Sequence, residues 1–435
     1  MPTIALATLG CKLNFAETSA LGQQFADRGY TRVAFGVPAD VTVINTCSVT
    51  ARADRECRQL IRRSLRASPS SVVVVTGCYA QLRPEDVASI DGVDFVMGTR
   101  EKSSIASAIG MPVKQASPQI RVSDIGASDD FGPAWSSETG GRTRAFLKVQ
   151  DGCDYSCSFC TIPLARGASR SQGIGQTVRQ AQGLIAEGYR EIVLTGVNVG
   201  DYGRKDGTDL ATLLRSLERL EGLERIRISS IEPNLLTDEI IEFVASRGVM
   251  CRHFHIPLQS GSDDILRGMR RRYTAGRYAE RIRAVREHIP DCGIGVDVIV
   301  GFPGETDAHF DETCEFVGDL PISYLHVFTY SERPDTPAAR SGSHVDPAVR
   351  AERSRRLRGI GLAKKLDFYA CMVGQTVPVL LEDDEQDGCR CGFTGNYVRV
   401  AVPAGEAPGN SIVDVAITGL DDDRCTGRVR AWGEK

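Results

Sequence analysis

Three cysteines fall within eight residues of the stretch DGCDYSCSFCTIP, Asp151 to Pro163: Cys153, Cys157 and Cys160. The spacing is CxxxCxxC, and no fourth thiol follows nearby. Structural zinc is held by four ligands, commonly as two CxxC pairs, so this set is one short. A four-iron cluster has four iron sites, and three thiolates leave one of them open. An open iron is a place for a substrate or cofactor to bind. The spacing points to such a cluster, with a structural zinc site as the alternative.

A second set of thiols is scattered. Cys11 ends TLGC, Cys47 ends INTC and Cys78 ends VTGC, and each follows a predicted strand closely. In an open α/β sheet, ligands bind beyond the carboxyl ends of the strands. Three neighbouring parallel strands would therefore gather these thiols into one place. Three ordinary buried cysteines are the alternative. Cys57 lies in an arginine-rich helical run and fits neither set, and the remaining seven cysteines read as core or surface thiols.

The elements around these residues follow from periodicity. TIALATLG, VTVINT, SVVVVTG and VDFVMGT read as strands, with helical patterns over Glu17–Arg28 and Ala51–Arg66. Short apolar, β-branched runs separated by amphipathic helices imply a parallel sheet. The stretch 111–142 is rich in Gly, Ser, Asp and Pro and reads as a linker. Strand candidates then follow at AFLKVQDG, EIVLTGVN, RIRISSIE, HFHIPL, GIGVDVIVGFP and YLHVFTYS. Five or six βα units imply a full or partial barrel, whose active site is built from the loops at the strands' C-terminal ends. Cys153 to Cys160 sit in the first such loop. A basic helix over 347–368 precedes four period-two strands, which imply a small β-barrel. The expected order is an N-terminal α/β domain (1–110), a linker (111–142), a partial (β/α) barrel with its trailing basic helix (143–370) and an all-β barrel (371–435). No solenoid-type repeat is present.

The chain has 435 residues, enough for two or three domains. It is 42% hydrophobic and 25% charged with a formal net charge of -4, an ordinary globular balance with no global sign of a nucleic-acid or membrane partner. No apolar run approaches the roughly 18–20 residues that cross a bilayer. The start, MPTIALATLGCKLN, shows neither a basic n-region nor a cleavage site. A cytoplasmic location is expected, where 14 cysteines argue for metal ligation or catalysis rather than a disulfide framework.

CxxxCxxC after the first barrel strand, with Phe159 before the last cysteine, resembles the radical S-adenosylmethionine superfamily. The resemblance implies an open iron that chelates S-adenosylmethionine and a 5′-deoxyadenosyl radical made from it. It also implies cofactor contacts at Thr195, Gly196 and Asn198 in TGVN and at Gly301 in GIGVDVIVGFPGET. With the N-terminal thiols included, the chain resembles the methylthiotransferases from end to end. The motifs are TLGCKLNFAET, INTCSVT, GCYAQ, LKVQDGCDYSCSFCTIPLARGASRS, HIPLQSGSD, MRRRYT and LHVFTYSERPDTPAA. The final barrel looks like the TRAM domain. This resemblance implies two [4Fe-4S] clusters, one on Cys153, Cys157 and Cys160 for the radical, the other on Cys11, Cys47 and Cys78 for the sulfur. S-adenosyl-L-methionine serves as radical source and methyl donor. The implied partners are the tRNA anticodon arm, a reductant such as flavodoxin or ferredoxin, and a sulfur donor, with no membrane.

Three branches of that family differ in substrate: N6-threonylcarbamoyladenosine in tRNA, isopentenyladenosine in tRNA, or an aspartate of a ribosomal protein. TLGCKLN and CTIPLARGASRS look most like the threonylcarbamoyl branch. A radical route suits any of them, because the target C–H is not acidic and acid–base groups could not remove its hydrogen.

Arg270, Arg271 and Arg272, and the run Arg350 to Lys365, are basic clusters in a slightly acidic chain. They are expected to dock phosphates, with Arg55, Arg58, Arg62, Arg63 and Arg66 extending the patch. A solvated helix face is the alternative. Residues 372–435 hold six Lys and Arg against eleven Asp and Glu. RNA contact there would need one face with Arg390, Arg399, Arg428 and Arg430, and stacking on Phe393 or Tyr397. Glu232, Gln259 and Asp297 are candidate substrate contacts, while His255 and His326 read as satisfied core histidines. A non-catalytic RNA-binding protein with structural metal sites, and a radical enzyme with the first triad as an electron relay, are the competing classes.

Overall fold

The computed structural model describes residues 1–127, 131–132 and 143–430. Six strands come first: β1 (Thr3–Thr8), β2 (Thr31–Val33), β3 (Val41–Thr46), β4 (Val72–Gly77), β5 (Phe95–Met97) and β6 (Gln119–Arg121). They form one parallel sheet in the order β2-β1-β3-β4-β5-β6. VTVINT and VVVVTG are buried along their whole length, as strands covered on both faces must be. The helix Ala51–Ala67 starts where the Thr50 hydroxyl accepts from the Ala53 N–H.

Three details differ from the sequence expectation. The first helix begins at Lys12, directly after Cys11, rather than at Glu17. β2 and β6 are three-residue edge strands, too short to show a period. β6 comes from the stretch read as linker, so the sheet extends past residue 110. Residues 128–130 and 133–142 of that stretch lie outside the described residues.

The central domain starts with β7 (Arg144–Lys148). A short antiparallel pair, β8 (Gln150–Asp151) and β9 (Arg170–Ser171), brackets the cysteine loop. Then come β10 (Glu191–Thr195), β11 (Arg225–Ile228), β12 (His253–His255), β13 (Gly293–Val300) and β14 (Tyr324–Thr329). Two parallel three-stranded sheets, β11-β10-β7 and β12-β13-β14, are joined by single bridges, Ser230 to His255 and Ile226 to Met250. The result is an open arc of six strands, a partial barrel.

Alternation sets what this arc encloses. Ile294, Val296, Val298 and Val300 point toward the helices and are fully buried. The other face of β13 carries Gly295, Asp297 and Ile299, and its neighbour β14 offers His326 and Phe328, both well exposed. Barrel interiors are usually packed with branched residues. Here Gly295, Asp297 and His326 share that face with Ile299 and Phe328, and a cavity remains at the strand ends.

The helix Pro347–Ala370 leads to β15 (Thr376–Gln386), β16 (Cys389–Thr394), β17 (Arg399–Pro403), β18 (Ser411–Asp421) and β19 (Arg424–Val429), a closed barrel in the order β15-β16-β17-β19-β18. Sequence periodicity missed β16, because CRCGFT lacks a β-branched alternation. This barrel has its own core, with Val379, Leu381, Val400 and Val415. It docks on the N-terminal ends of the central strands. Arg225 donates to the carbonyls of Phe393 (3.0 Å) and Pro378 (2.8 Å), and Arg227 to those of Gly395 (3.0 Å) and Thr394 (3.2 Å). Approach is closest at Gly293, where a Cβ would stand 2.0 Å from the Asn396 carbonyl oxygen. Among the described residues, no helix is long and apolar enough to cross a membrane.

Candidate active site

The three N-terminal thiols meet because β1, β3 and β4 are adjacent and end at the same edge. Two glycines permit the approach. Gly10 has φ +102°, and a Cβ there would lie 2.8 Å from the Cys47 sulfur. Gly77 has φ +97°, and a Cβ would lie 2.4 Å from the Thr46 carbonyl oxygen. Asn14 ties the loop ends, donating to the carbonyls of Leu9 (2.7 Å) and Thr46 (3.0 Å). Cys57 donates to the Cys47 carbonyl at 3.4 Å and stays in the core.

Across from this edge stands the cysteine loop of the central domain. A cavity of about 620 Å³ lies between them. Cys11, Cys47 and Cys78 line it from one side, and Phe159, Cys160 and Thr161 from the other. The strand ends contribute Gly196, Ser230, Gln259 and Asp297. Cys153 and Cys157 do not line it. Backbone N–H groups of Tyr155 and Ile162 point at the sulfurs of Cys153 and Cys160, each at 3.4 Å, and Arg271 Nη1 is 3.2 Å from the Cys157 sulfur.

Burial pushes the Cys47 thiol up to about 12, helped by its neighbours Cys78 and Cys11. Burial likewise raises Cys160 to about 12 and Cys153 to about 11, with the adjacent thiols adding to it. Burial thus disfavours the thiolate at Cys47, Cys153 and Cys160, and a bound metal reverses this by supplying the positive charge. All-sulfur donor sets of this kind suit iron–sulfur clusters. The residues present thus fit a four-iron cluster at each triad.

The expected cofactor contacts separate into two groups. Phe159 and Gly196 line the cavity, and Phe159 packs edge-on against Phe302 with centroids 6.5 Å apart. The Asn198 N–H donates to Gln150 Oε1 at 2.9 Å, while its side-chain Nδ2 is buried without a hydrogen-bond partner. Thr195 and Gly301 do not line the cavity. The Thr195 hydroxyl donates to the Val193 carbonyl, and Gly301, at φ +76°, makes room for Arg350, whose Cγ would be 2.3 Å from a Cβ.

Several basic residues are placed differently from expectation. Arg271 is buried, pairs with Glu232 and backs the cysteine loop, so it is not an RNA-facing group. Its neighbours Arg270 and Arg272 are exposed, and Arg272 lies over the Tyr155 ring at 3.9 Å. Arg350 and Arg353 also turn inward, bonding the Tyr330 carbonyl and Glu305. Phe393 and Tyr397 stack on each other beneath Arg144 and Arg227, facing the central barrel rather than solvent. Arg390 is buried on the Ala407 carbonyl. In each case a long side chain found a buried acceptor or ring that local sequence does not reveal.

One feature went unread in the sequence. Glu17, Lys102, Lys148, Asp151 and Arg166 form a buried ion network across the two domains, with Arg166 2.9 Å from both Glu17 and Asp151. Its only sequence signal is the polar pair Lys148 and Asp151 around a buried strand end. His255 and His326, read as satisfied core histidines, both donate to Asp297 (2.9 and 3.1 Å), but His326 is exposed rather than core.

Comparison with known proteins follows the same lines. Residues 147–317 match the family described as "Radical SAM superfamily" and residues 3–98 the "Uncharacterized protein family UPF0004". The chain is 43% identical over 428 residues to "Threonylcarbamoyladenosine tRNA methylthiotransferase MtaB" of Bacillus subtilis (strain 168), covering 96% of this chain and 94% of that protein. It is 34% identical over 418 residues to "tRNA-2-methylthio-N(6)-dimethylallyladenosine synthase" of Parafrankia sp. (strain EAN1pec), covering 95% and 83%. Among solved structures, the radical S-adenosylmethionine methyltransferase TsrM from Kitasatospora setae shares the fold, with a TM-score of 0.59 at 17% identity over 78% of this chain and 77% of that one. With relatives of this identity along almost its whole length, the chain belongs to the radical S-adenosylmethionine tRNA methylthiotransferases.

Proposed function

We propose that the chain methylthiolates C2 of N6-threonylcarbamoyladenosine next to the anticodon of tRNA. The observation that carries this reading is the single cavity lined by thiols of both triads. Inserting sulfur at a C–H position needs a hydrogen-abstracting group and a sulfur-bearing group at the same carbon. Cys153, Cys157 and Cys160 would hold the cluster that binds S-adenosylmethionine, and Cys11, Cys47 and Cys78 a second cluster on the sulfur side. When bound, these groups supply the radical, the sulfur and, from S-adenosylmethionine, the methyl. The chain's own residues enclose the base, keep bulk water out and set the two triads face to face.

The substrate branch is supported by the relatives named for threonylcarbamoyladenosine, which share 43% and 38% identity with this chain. A reductant such as flavodoxin or ferredoxin and a sulfur donor complete the turnover, in the cytoplasm. The C-terminal barrel is a TRAM-like module. The exposed arginines Arg270 and Arg272 and the helix Ala51–Ala67 offer phosphate contacts for the anticodon arm.

The test is nucleoside mass spectrometry on tRNA from a host deleted for its own tRNA methylthiotransferases and expressing this chain. A gain of one methylthio group on threonylcarbamoyladenosine is expected. The same gain on isopentenyladenosine moves the chain to the sister branch, and no gain on any nucleoside, with clusters loaded, refutes a tRNA substrate. Cys153→Ala is expected to stop cleavage of S-adenosylmethionine, whereas Cys47→Ala stops only sulfur insertion. Identical behaviour of the two variants at every step would rule out the division of labour.

A further inference from the structure

Three neighbouring strands of the central barrel each bring one metal-ligating side chain to the same place. His255 ends β12, Asp297 lies within β13 and His326 within β14. β13 runs between the other two, and Asp297 is the register partner of His326. His255 partners Gly295, two residues before Asp297 and on the same face. Both imidazoles therefore turn to one carboxylate. His255 Nε2 is 2.9 Å and His326 Nδ1 3.1 Å from the same oxygen, Asp297 Oδ1. One donor atom from each of the three residues lies within 4.8 Å of the others.

The hydrogen bonds leave this group incomplete. Among the described residues, Asp297 Oδ2 has no hydrogen-bond partner, and Asp297 pairs with no lysine or arginine. Its side chain is only 22% exposed. A carboxylate so enclosed, faced by two imidazoles and no permanent cation, is completed by a bound one.

The spacing and the outer partners suit a metal ion. Ligands about 2.0–2.1 Å from one ion stand roughly 3.0–3.4 Å apart, close to the two N–O separations here. Asp297 is fixed by its backbone, whose carbonyl accepts from the N–H groups of Leu258 (3.1 Å) and Gln259 (2.8 Å). His255 Nδ1 lies 2.7 Å from the Ser230 hydroxyl. With a metal on Nε2, the ring proton sits on Nδ1 and is donated to that hydroxyl, the kind of outer bond that orients metal-bound histidines. On His326 the proton passes to Nε2, on a side chain that is 54% exposed.

We propose that His255, Asp297 and His326 hold a divalent transition-metal ion, at a centre of nitrogen and oxygen donors separate from both thiol triads. Imidazole suits zinc and iron(II), and the carboxylate adds a hard oxygen. Three protein ligands leave coordination positions open. Asp297 and Ser230 line the cavity between the triads, so an oxygen of a bound molecule there can complete the shell.

The experiment uses the untagged protein with both clusters loaded and S-adenosylmethionine present. It is dialysed to equilibrium against cobalt(II), a probe distinct from cluster iron, and both metals are counted by elemental mass spectrometry. One cobalt per chain is expected, and X-ray absorption at the cobalt edge should show nitrogen and oxygen neighbours with imidazole scattering. His255→Asn and His326→Asn should each weaken cobalt binding about 100-fold, and Ser230→Ala about 10-fold, with iron content unchanged. The exposed His326 decides the matter if His255→Asn loses iron. Absence of stoichiometric cobalt, sulfur in its shell, or undiminished binding by His326→Asn overturns the site. The measurement contains no RNA, so its failure leaves the substrate reading untouched.

Discussion

Removing Glu17 tests how the N-terminal domain is held over the barrel. Burial pushes its pKa up, but Arg166, Lys102 and Lys148 together hold it well below the usual carboxylate range. Arg166 meets its two oxygens at 2.9 and 3.2 Å, and Lys148 stands at 3.2 Å. Glu17→Ala leaves Lys102 without a hydrogen-bond partner among the described residues and sets three buried cations against Asp151 alone. Breaking a buried network by removing one partner costs about 3–5 kcal/mol. That corresponds to roughly two to four powers of ten in the equilibrium for opening the interface. Other ties remain, including Arg333 to Asp54 and Arg83 to Asp335, each at 2.7 Å, so loosening rather than unfolding is expected. Hydrogen exchange by mass spectrometry should show peptides 12–26 and 144–151 exchanging at least about 100-fold faster, with β12 to β14 unchanged. Acceleration below about 10-fold at the interface, in a variant that has lost none of its clusters, would refute the assignment of this network as the latch.

The same carboxylate sets a pH dependence. Folded Glu17 titrates below its unfolded value, so the unfolded chain binds more protons in acid; the latch is at full strength above about pH 5 and weakens as pH falls toward the folded value, a slope that Glu17→Gln should reduce in a denaturation series. Gly77→Ala places a Cβ 2.4 Å from the Thr46 carbonyl at φ +97°, so it should displace Cys78 and cut bound iron by about half while S-adenosylmethionine cleavage persists; iron assay and electron paramagnetic resonance check this. Arg227→Met leaves Glu191 buried without its main partner and removes two bonds to the C-terminal barrel, at a cost of about 3–5 kcal/mol, and should open residues 371–375 to proteolysis.

The fold was legible where one physical rule governs a long segment. The runs VTVINT and SVVVVTG could only be strands buried on both faces, and their order placed Cys47 and Cys78 at one sheet edge. The set Cys153, Cys157 and Cys160 could be picked out by its spacing, and the structure brings its loop to the cavity. What stayed hidden depends on residues far apart in sequence. Glu17 looks like any helical glutamate until Arg166 arrives from beyond the cysteine loop. Arg271 reads as part of a basic surface because nothing local tells that Glu232 waits inside. Phe393 and Tyr397 read as stacking platforms, and they are platforms, but for Arg144 and Arg227 rather than for bases. CRCGFT gave no strand signal because β16 is fixed by its two neighbours rather than by its own side chains.

The docking of the last barrel bears on how this protein can be cut and recombined. Arg225 and Arg227 reach out of the central strands to carbonyls of a separate domain, and Tyr397 comes back beneath Arg227. The far end of the reaction chamber is thus a wall supplied by residues 376–429. A chain shortened before Thr376 would not be the same enzyme with weaker RNA affinity. It would be a tube open at both ends, admitting water to the space where a radical must meet only its substrate. Exchanging this module between relatives should therefore alter uncoupled cleavage of S-adenosylmethionine as well as RNA affinity.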